Sequence, residues 1–399
     1  RLGFVFRSQT FLRRSTHSPK VNTGAPLIKS HYSEPAIIAC SEPAAGIMGT
    51  PPCGGLRTIY RCWMSSDISF SERVAGALYG LFIADALAMP VHWYYDTDAL
   101  RRDYGQVRDF LAPRNPHPDS ILWRSSFVPS SPAADILHDQ ARYWGKKGTN
   151  YNQFLEAGEN TLNAQLAAEL LEHVRSRESY APGPWLAHFT DFLTTPGNHR
   201  DTYAEEYLRH FFVNFGRGIS PERCGRQDEH HIGGLTLMLP LTIYFSDSPE
   251  YAEKISQEHL ALTHGGSLMK RGAALVIDLL VELLHGAPLV EVLESTQQSF
   301  TSGSVQRSLL DLRDYPDHIV VGRHFSSACY MDQALPATLY LAAKYHERPE
   351  QGLIANTMCG GDNCGRGAVL GALLGAAGGL EAWPLRWRTG LKRPPTLPA

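Results

Sequence analysis

The sequence predicts an all-α fold, a compact orthogonal helical bundle. Three observations carry that reading. Apolar residues recur at helical spacing along most of the chain, with Pro and Gly breakers between the runs. No alternating strand pattern of useful length occurs. Two distant segments also look like counterparts: GALYGLFIADALAMP at Gly76–Pro90 and GGDNCGRGAVLGALLG at Gly360–Gly375. Each places small residues four apart, Gly76, Gly80 and Ala84 in one, Gly367, Gly371 and Gly375 in the other. On a helix these positions form one smooth stripe that lets another backbone come close. Each stripe has an aspartate beside it, Asp85 or Asp362.

The first helix is expected to start after Ser69, because Ser69-Phe70-Ser71-Glu72 fits a capping box. Phe70, Val74, Leu78 and Leu81 then follow at helical spacing, and Pro90 ends the run. Residues 91–132, rich in Pro, Tyr, Trp, Arg and Asp without a clear period, read as a long loop with short helices. From Asp135 helices are expected at 135–145, 151–178, 184–194, 200–214, 230–245, 250–263, 267–285, 288–301, 331–345, 349–358 and 364–380. The helical domain is placed at 67–385, with residues 1–66 and 386–399 as disordered ends.

Residues 1–33 contain six Lys or Arg, interspersed serines and no acidic residue. That composition reads as a transit peptide for a mitochondrion or plastid, or else as a basic tail on a cytoplasmic protein. Either way an intracellular location is expected. Seven scattered cysteines favour a reducing compartment over a disulfide framework. Of the 399 residues, 43% are hydrophobic and 19% charged, as in a globular chain with a large core. A net charge of −3 gives no electrostatic case for nucleic acid or an anionic membrane. No membrane span is expected, since no long uncharged apolar run was found.

Candidate chemistry rests on a few polar residues. In the expected helix 151–178, Glu159 falls in the stripe of Leu155, Leu162, Leu166 and Leu170. A carboxylate on a buried face needs a partner, a metal or a raised pKa. Asp362 follows Gly360 and Gly361 and opens a helix, so it is a plain N-cap or part of an anion site. His92 precedes Trp93, Tyr94 and Tyr95, as a possible base or a member of an aromatic cluster. Arg366, one turn after Asp362, is either a surface ion pair or a cation for a diphosphate.

Taken together, these motifs resemble the ADP-ribosylglycohydrolase family, of the dinitrogenase-reductase activating glycohydrolase type, over about residues 70–385. The family opens with Gly-x-x-x-Gly-Asp-Ala-Leu-Gly-x-Pro-x-Glu, carries Thr-Asp-Asp-Thr at a helix start, and closes with Gly-Gly-Asp-Thr-Asp. Here Asp85-Ala86-Leu87 and Pro90 match the first motif, with His92 at the family glutamate. Gly158-Glu159-Asn160-Thr161 stands at the second, and Gly360-Gly361-Asp362-Asn363-Cys364 at the third. Thr263-His264 resembles a Thr-His of the family, and His230-His231-Ile232-Gly233-Gly234 stands where a substrate loop is found.

The resemblance implies an all-α hydrolase that cleaves a glycosidic bond of an ADP-ribose conjugate, small or protein-linked. It implies Glu159, Asp362 and His92 as catalytic residues, and Asp85, Gly360, Gly361, Arg366 and His231 as substrate contacts. The family usually holds two magnesium ions; here Glu159, Thr161 and Asp362 are expected to hold at most a weak or single Mg2+. His92, Glu159, Asp362 and Cys364 could suit zinc instead, and Glu159 with Asp362 could form a metal-free carboxylate pair. An inactive, ADP-ribose-binding or crystallin-like structural relative is the alternative.

Overall fold

The computed structural model describes residues 68–300 and 309–398, all within the unit Ser66–Ala399. No strand occurs among them; isolated bridges join Arg226 to His264, His231 to Tyr330 and Val321 to Phe325. The helices are α1 (Phe70–Ala88), α2 (Thr97–Tyr104), α3 (Leu162–Arg175), α4 (Pro182–Thr194), α5 (Glu206–Phe215), α6 (Gly233–Tyr244), α7 (Pro249–Ala261), α8 (Ser267–Leu284), α9 (Leu289–Phe300), α10 (Asp317–Val320), α11 (Met331–Tyr345), α12 (Pro349–Met358), α13 (Asn363–Gly378) and α14 (Leu385–Gly390). The all-α expectation holds.

The capping box forms as read. The Glu72 amide donates to Ser69 Oγ at 3.3 Å, and the Ser69 amide donates to Glu72 Oε2 at 2.8 Å. α1 and α13 lie antiparallel, stripe against stripe. A Cβ built on Gly76 would fall on the carbonyl oxygen of Gly375, and one on Gly80 on that of Gly371; the reverse substitutions meet the same obstacle. This contact brings the C-terminal end of α1, which carries Asp85, to the N-terminal end of α13, whose N-cap is Asp362.

By composition and length the stretch Phe70–Val91 reaches membrane-span proportions, with a mean hydropathy of 1.7, so the expectation of no long apolar run is corrected. Of its most apolar window 94% is buried inside the protein, which makes it a core helix. A second apolar cluster, around Trp144, Leu166, Phe189, Phe211 and Leu241, unites α3, α4, α5 and α6.

Three expected helices fail in whole or in part, the third being 200–214, where α5 begins only at Glu206. Residues 135–145 and 151–161 are not α-helical: His138–Tyr143 forms a 3-10 turn, and α3 begins only at Leu162. Gly158 sits at φ +85, a left-handed conformation that stops a helix from passing. The expected loose end after 385 instead contains α14, with Trp387 fully buried and its indole donating to the Arg108 carbonyl at 3.1 Å. Residues 1–66, with the disorder and targeting readings made for them, lie outside the described residues.

Candidate active site

The C-terminal end of α1 and the N-terminus of α13 meet at a small hollow, which adjoins a cleft of about 570 Å3. Residues from the expected 91–132 loop build much of its wall, including Trp93, Tyr95, Ile121, Trp123 and Arg124. Tyr151, Tyr203, Glu205, His231 and Cys329 complete it. The loop is fastened by Asp119, whose Oδ2 accepts the amides of Tyr95 at 2.8 Å and Asp96 at 2.9 Å. Behind the cleft, and sharing Tyr203 and Glu205 with it, lies the hollow, of about 20 Å3 and lined by Asp85, His92, Thr161, Asn163 and Cys364 among others. That space suits about one water molecule.

Asp85 is buried and fully engaged. Its Oδ1 accepts from Asn160 Nδ2 and the Thr161 amide, both at 2.8 Å, and its Oδ2 accepts from Thr161 Oγ1 at 2.6 Å. Asn160 Nδ2 also donates to the Phe82 carbonyl at 2.8 Å, so the amide orientation is fixed by two acceptors facing one nitrogen. Burial raises the Asp85 pKa, and these donors oppose the rise.

His92 is buried, its ring tilted against Trp93, and its Nδ1 lies 3.2 Å from Asn363 Oδ1. Asn363 Nδ2 donates to the carbonyls of Val91 and Thr357, which leaves Oδ1 as the acceptor. His92 therefore donates through Nδ1–H, and its Nε2 keeps a lone pair. Burial pushes its pKa down, against the pull of Asp362, so the ring is neutral.

Glu205 is the residue that spacing did not reveal. It lines both cleft and hollow and accepts from Asn163 Nδ2 at 2.8 Å. Burial and the neighbouring charge of Asp362 push its pKa up to about 8, so at neutral pH it carries a proton. Asp201, which accepts from the Leu162 amide and Gln165 Nε2, is pushed up to about 7, chiefly by burial. Glu205 is the N-cap of α5 and Glu206 its first residue, whereas the expected helix 200–214 put both in its interior, where nothing marked them.

Several expected site residues are placed differently. Glu159 lies on the loop before α3, half-buried, with both oxygens on Arg200, and it is not in a helical stripe. It lines neither the cleft nor the hollow. Gly360 and Gly361, at φ +63 and +62, make a turn whose amides are already used: Gly361 donates to the Tyr94 carbonyl at 2.6 Å and Gly360 to that of Thr357 at 3.3 Å. They are not an open anion loop. Arg366 is neither a surface partner nor a cleft cation; it is buried and donates to the carbonyls of Ser327 and Gly360. Asp362 caps α13 by accepting the Gly365 amide at 2.9 Å, and its charge acts on Glu205 and His92. His231 does reach the cleft.

A magnesium pair does not fit this donor set. Glu159 faces Arg200, Thr161 spends its hydroxyl proton on Asp85, and an amide nitrogen of Asn160 points where a cation ligand would need an oxygen. Burial holds Cys364 as a thiol, which also disfavours zinc. Among the described residues no group of three or more His, Cys, Asp or Glu could hold a metal ion.

The ADP-ribosylglycohydrolase family matches residues 66–399, the whole of the described domain. The chain belongs to the ADP-ribosylglycohydrolase family. A solved structure titled ADP-ribosylglycohydrolase-related protein complex superposes with a TM-score of 0.52, covering 81% of this chain and 93% of that one at 20% identity. At that identity the likeness concerns the fold of this ADP-ribosylglycohydrolase family member. No curated protein matches the sequence.

Proposed function

We propose that this chain is a hydrolase that cleaves a glycosidic bond of an ADP-ribose conjugate at the junction of cleft and hollow. The supporting observation is the place of Glu205: a carboxyl that borders both spaces, its pKa raised by burial and by the nearby charge of Asp362. Glycoside hydrolysis needs an acid for the leaving atom and a negative group near the anomeric carbon. Glu205 donates its proton to the leaving atom as the bond to the anomeric carbon breaks. A water in the hollow attacks that carbon and passes a proton to His92 Nε2. The Asp362 charge favours the positive character that develops on the sugar ring. The aromatic wall of Trp93, Tyr95 and Trp123 offers flat faces for the adenine, with Trp123 41% and Tyr95 49% exposed. No step passes through a metal ion, because the donors present do not suit one.

The test is turnover of ADP-ribosyl conjugates of differing leaving group, O-linked and N-linked, with chelator and with added magnesium. Turnover of one class in chelator supports the reading. A second reading, a family member that binds without hydrolysis, draws on Asn160 and Cys364 standing at family acid positions. Tight binding with no turnover of any class would favour it.

A further inference from the structure

His231 and Glu229 form a buried pair that the proposed chemistry does not use. The Glu229 side chain is wholly buried, and its Oε1 lies 2.6 Å from His231 Nδ1. The same oxygen accepts the amides of His230 at 2.8 Å and His231 at 3.3 Å. Its Oε2 makes no hydrogen bond and has Arg226 Nε 3.7 Å away. A carboxylate so placed needs a cation against it. His231 has 17% of its side chain exposed, on the cleft, and its Nε2 makes no hydrogen bond among the described residues. The imidazole is thus anchored at one nitrogen and free at the other.

Fixed positive charge is scarce in the cleft. Of its lining residues, Arg124 is the remaining cation, stacked over Trp123 at 5.1 Å near the mouth. Facing them are Asp119, tied to two loop amides, Glu206, paired with Arg226, and Glu205. Beside Arg124, an anionic ligand entering this cleft meets one imidazole held in place by a buried carboxylate, and that is His231.

We propose that His231, oriented by Glu229, is the group that grips a phosphate of the ligand, with Arg124 meeting the anion from the mouth. This rests on the ADP-ribose reading for the identity of the ligand, but the grip concerns any di- or monophosphate that fits the cleft. The pair is built for it. The Glu229 pKa is held down at about 2: His231 and the amides of the turn outweigh the burial that would raise it. Glu229, Glu205 and Asp362 together raise that of His231 despite its burial. Other groups around the ring are His230 and Tyr330, whose rings lie 5.1 and 5.6 Å away, with His264 and Cys329 nearby. His264 is buried and neutral, its pKa pushed down to about 3, and burial keeps Cys329 a thiol, so neither competes for the anion.

The experiment is calorimetric titration of the full chain with ADP-ribose, inorganic pyrophosphate and adenosine from pH 6 to 9 at fixed ionic strength. Wild-type affinity for the two phosphate ligands falls as pH rises through the His231 pKa, up to about tenfold per unit, while adenosine binding shifts less. Glu205 also loses its proton in this range, so variants decide. His231→Gln weakens both phosphate ligands about tenfold or more and removes most of the fall; Glu205→Gln leaves the fall in place. Glu229→Gln moves the fall to lower pH. Imidazole NMR of the wild type provides a check independent of variant folding: pyrophosphate raises the His231 midpoint. If ADP-ribose binds equally well with His231→Gln, or the NMR midpoint does not move, the grip is wrong and the hydrolase reading stands. If pyrophosphate binds through His231 but ADP-ribose does not bind, the grip stands and the ADP-ribose reading fails. Binding of neither refutes both.

Discussion

At the residue scale, what distinguishes this site is a neutral donor where an acid would be expected. Asn160 Nδ2 bridges the Phe82 carbonyl and Asp85, so the buried Asp85 has partners without a cation. Asn160→Asp replaces that donor with a second carboxylate facing two oxygens. It is expected to destabilise the fold by about 1–3 kcal/mol, read as a lower denaturant midpoint. An unchanged midpoint would mean that Asn160 is not a required donor. Of the residues the sequence singled out, Asp85 and His92 line the hollow and His231 the cleft, while Asp362 lines neither and acts there through its charge. The sequence misplaced Glu159, because the Leu155 that completed its stripe packs from a loop against Ala88, Met89 and Cys364 rather than from α3. It missed Glu205 and Glu229, because no period joins residues that meet only through the tertiary fold.

At the scale of elements, the glycine stripes were legible because close helix approach leaves a four-residue signature in sequence. The test compares two glycines. Gly80→Ala drives a methyl into the Gly371 backbone, which no rotamer change can relieve, and is expected to cost at least about 1–3 kcal/mol. Gly183, in the first turn of α4, has nothing within 4 Å of a built Cβ, and Gly183→Ala should be neutral or stabilise by up to about 1 kcal/mol. Thermal melting of the two variants checks the contrast; equal effects would refute the packing argument. The tail was misread for the opposite reason. Its Pro and basic residues look like solvent-exposed sequence, yet Trp383 and Trp387 anchor it, with Trp383 Nε1 donating to the Gly76 carbonyl at 2.7 Å.

At the scale of the whole molecule, buried titratable groups set a stability optimum. Burial lowers the pKa of His117 and His199 to about 4, and of His259 and His264 to about 3. Their folded values lie below the unfolded value, so the stability they provide is present above about pH 6.5 and is lost as pH falls toward 4. Asp201 and Glu205 act in the opposite sense. Their folded values of about 7 and 8 lie above the unfolded ones, so their contribution is present in acid and is lost as pH rises toward 8. His231, with its raised folded value, adds to that alkaline loss. Between about pH 4.5 and 6.5 four histidines outweigh two carboxyls, and stability rises by roughly 1.4 kcal/mol per unit for each net proton. The melting temperature should therefore peak between about pH 6 and 7 and fall on both sides. A flat profile would contradict the burial described for these groups.

The central claim is that the acid which drives the chemistry sits at Glu205, at the base of the cleft, and not at Glu159. Single-turnover hydrolysis of an ADP-ribosyl conjugate by Glu205→Gln and Glu159→Gln tests it most directly. We expect Glu205→Gln to lose roughly 10²–10⁴-fold in rate while Glu159→Gln, which removes a half-exposed pairing with Arg200, stays near wild type. The reverse order, or equal loss in both, would contradict the account.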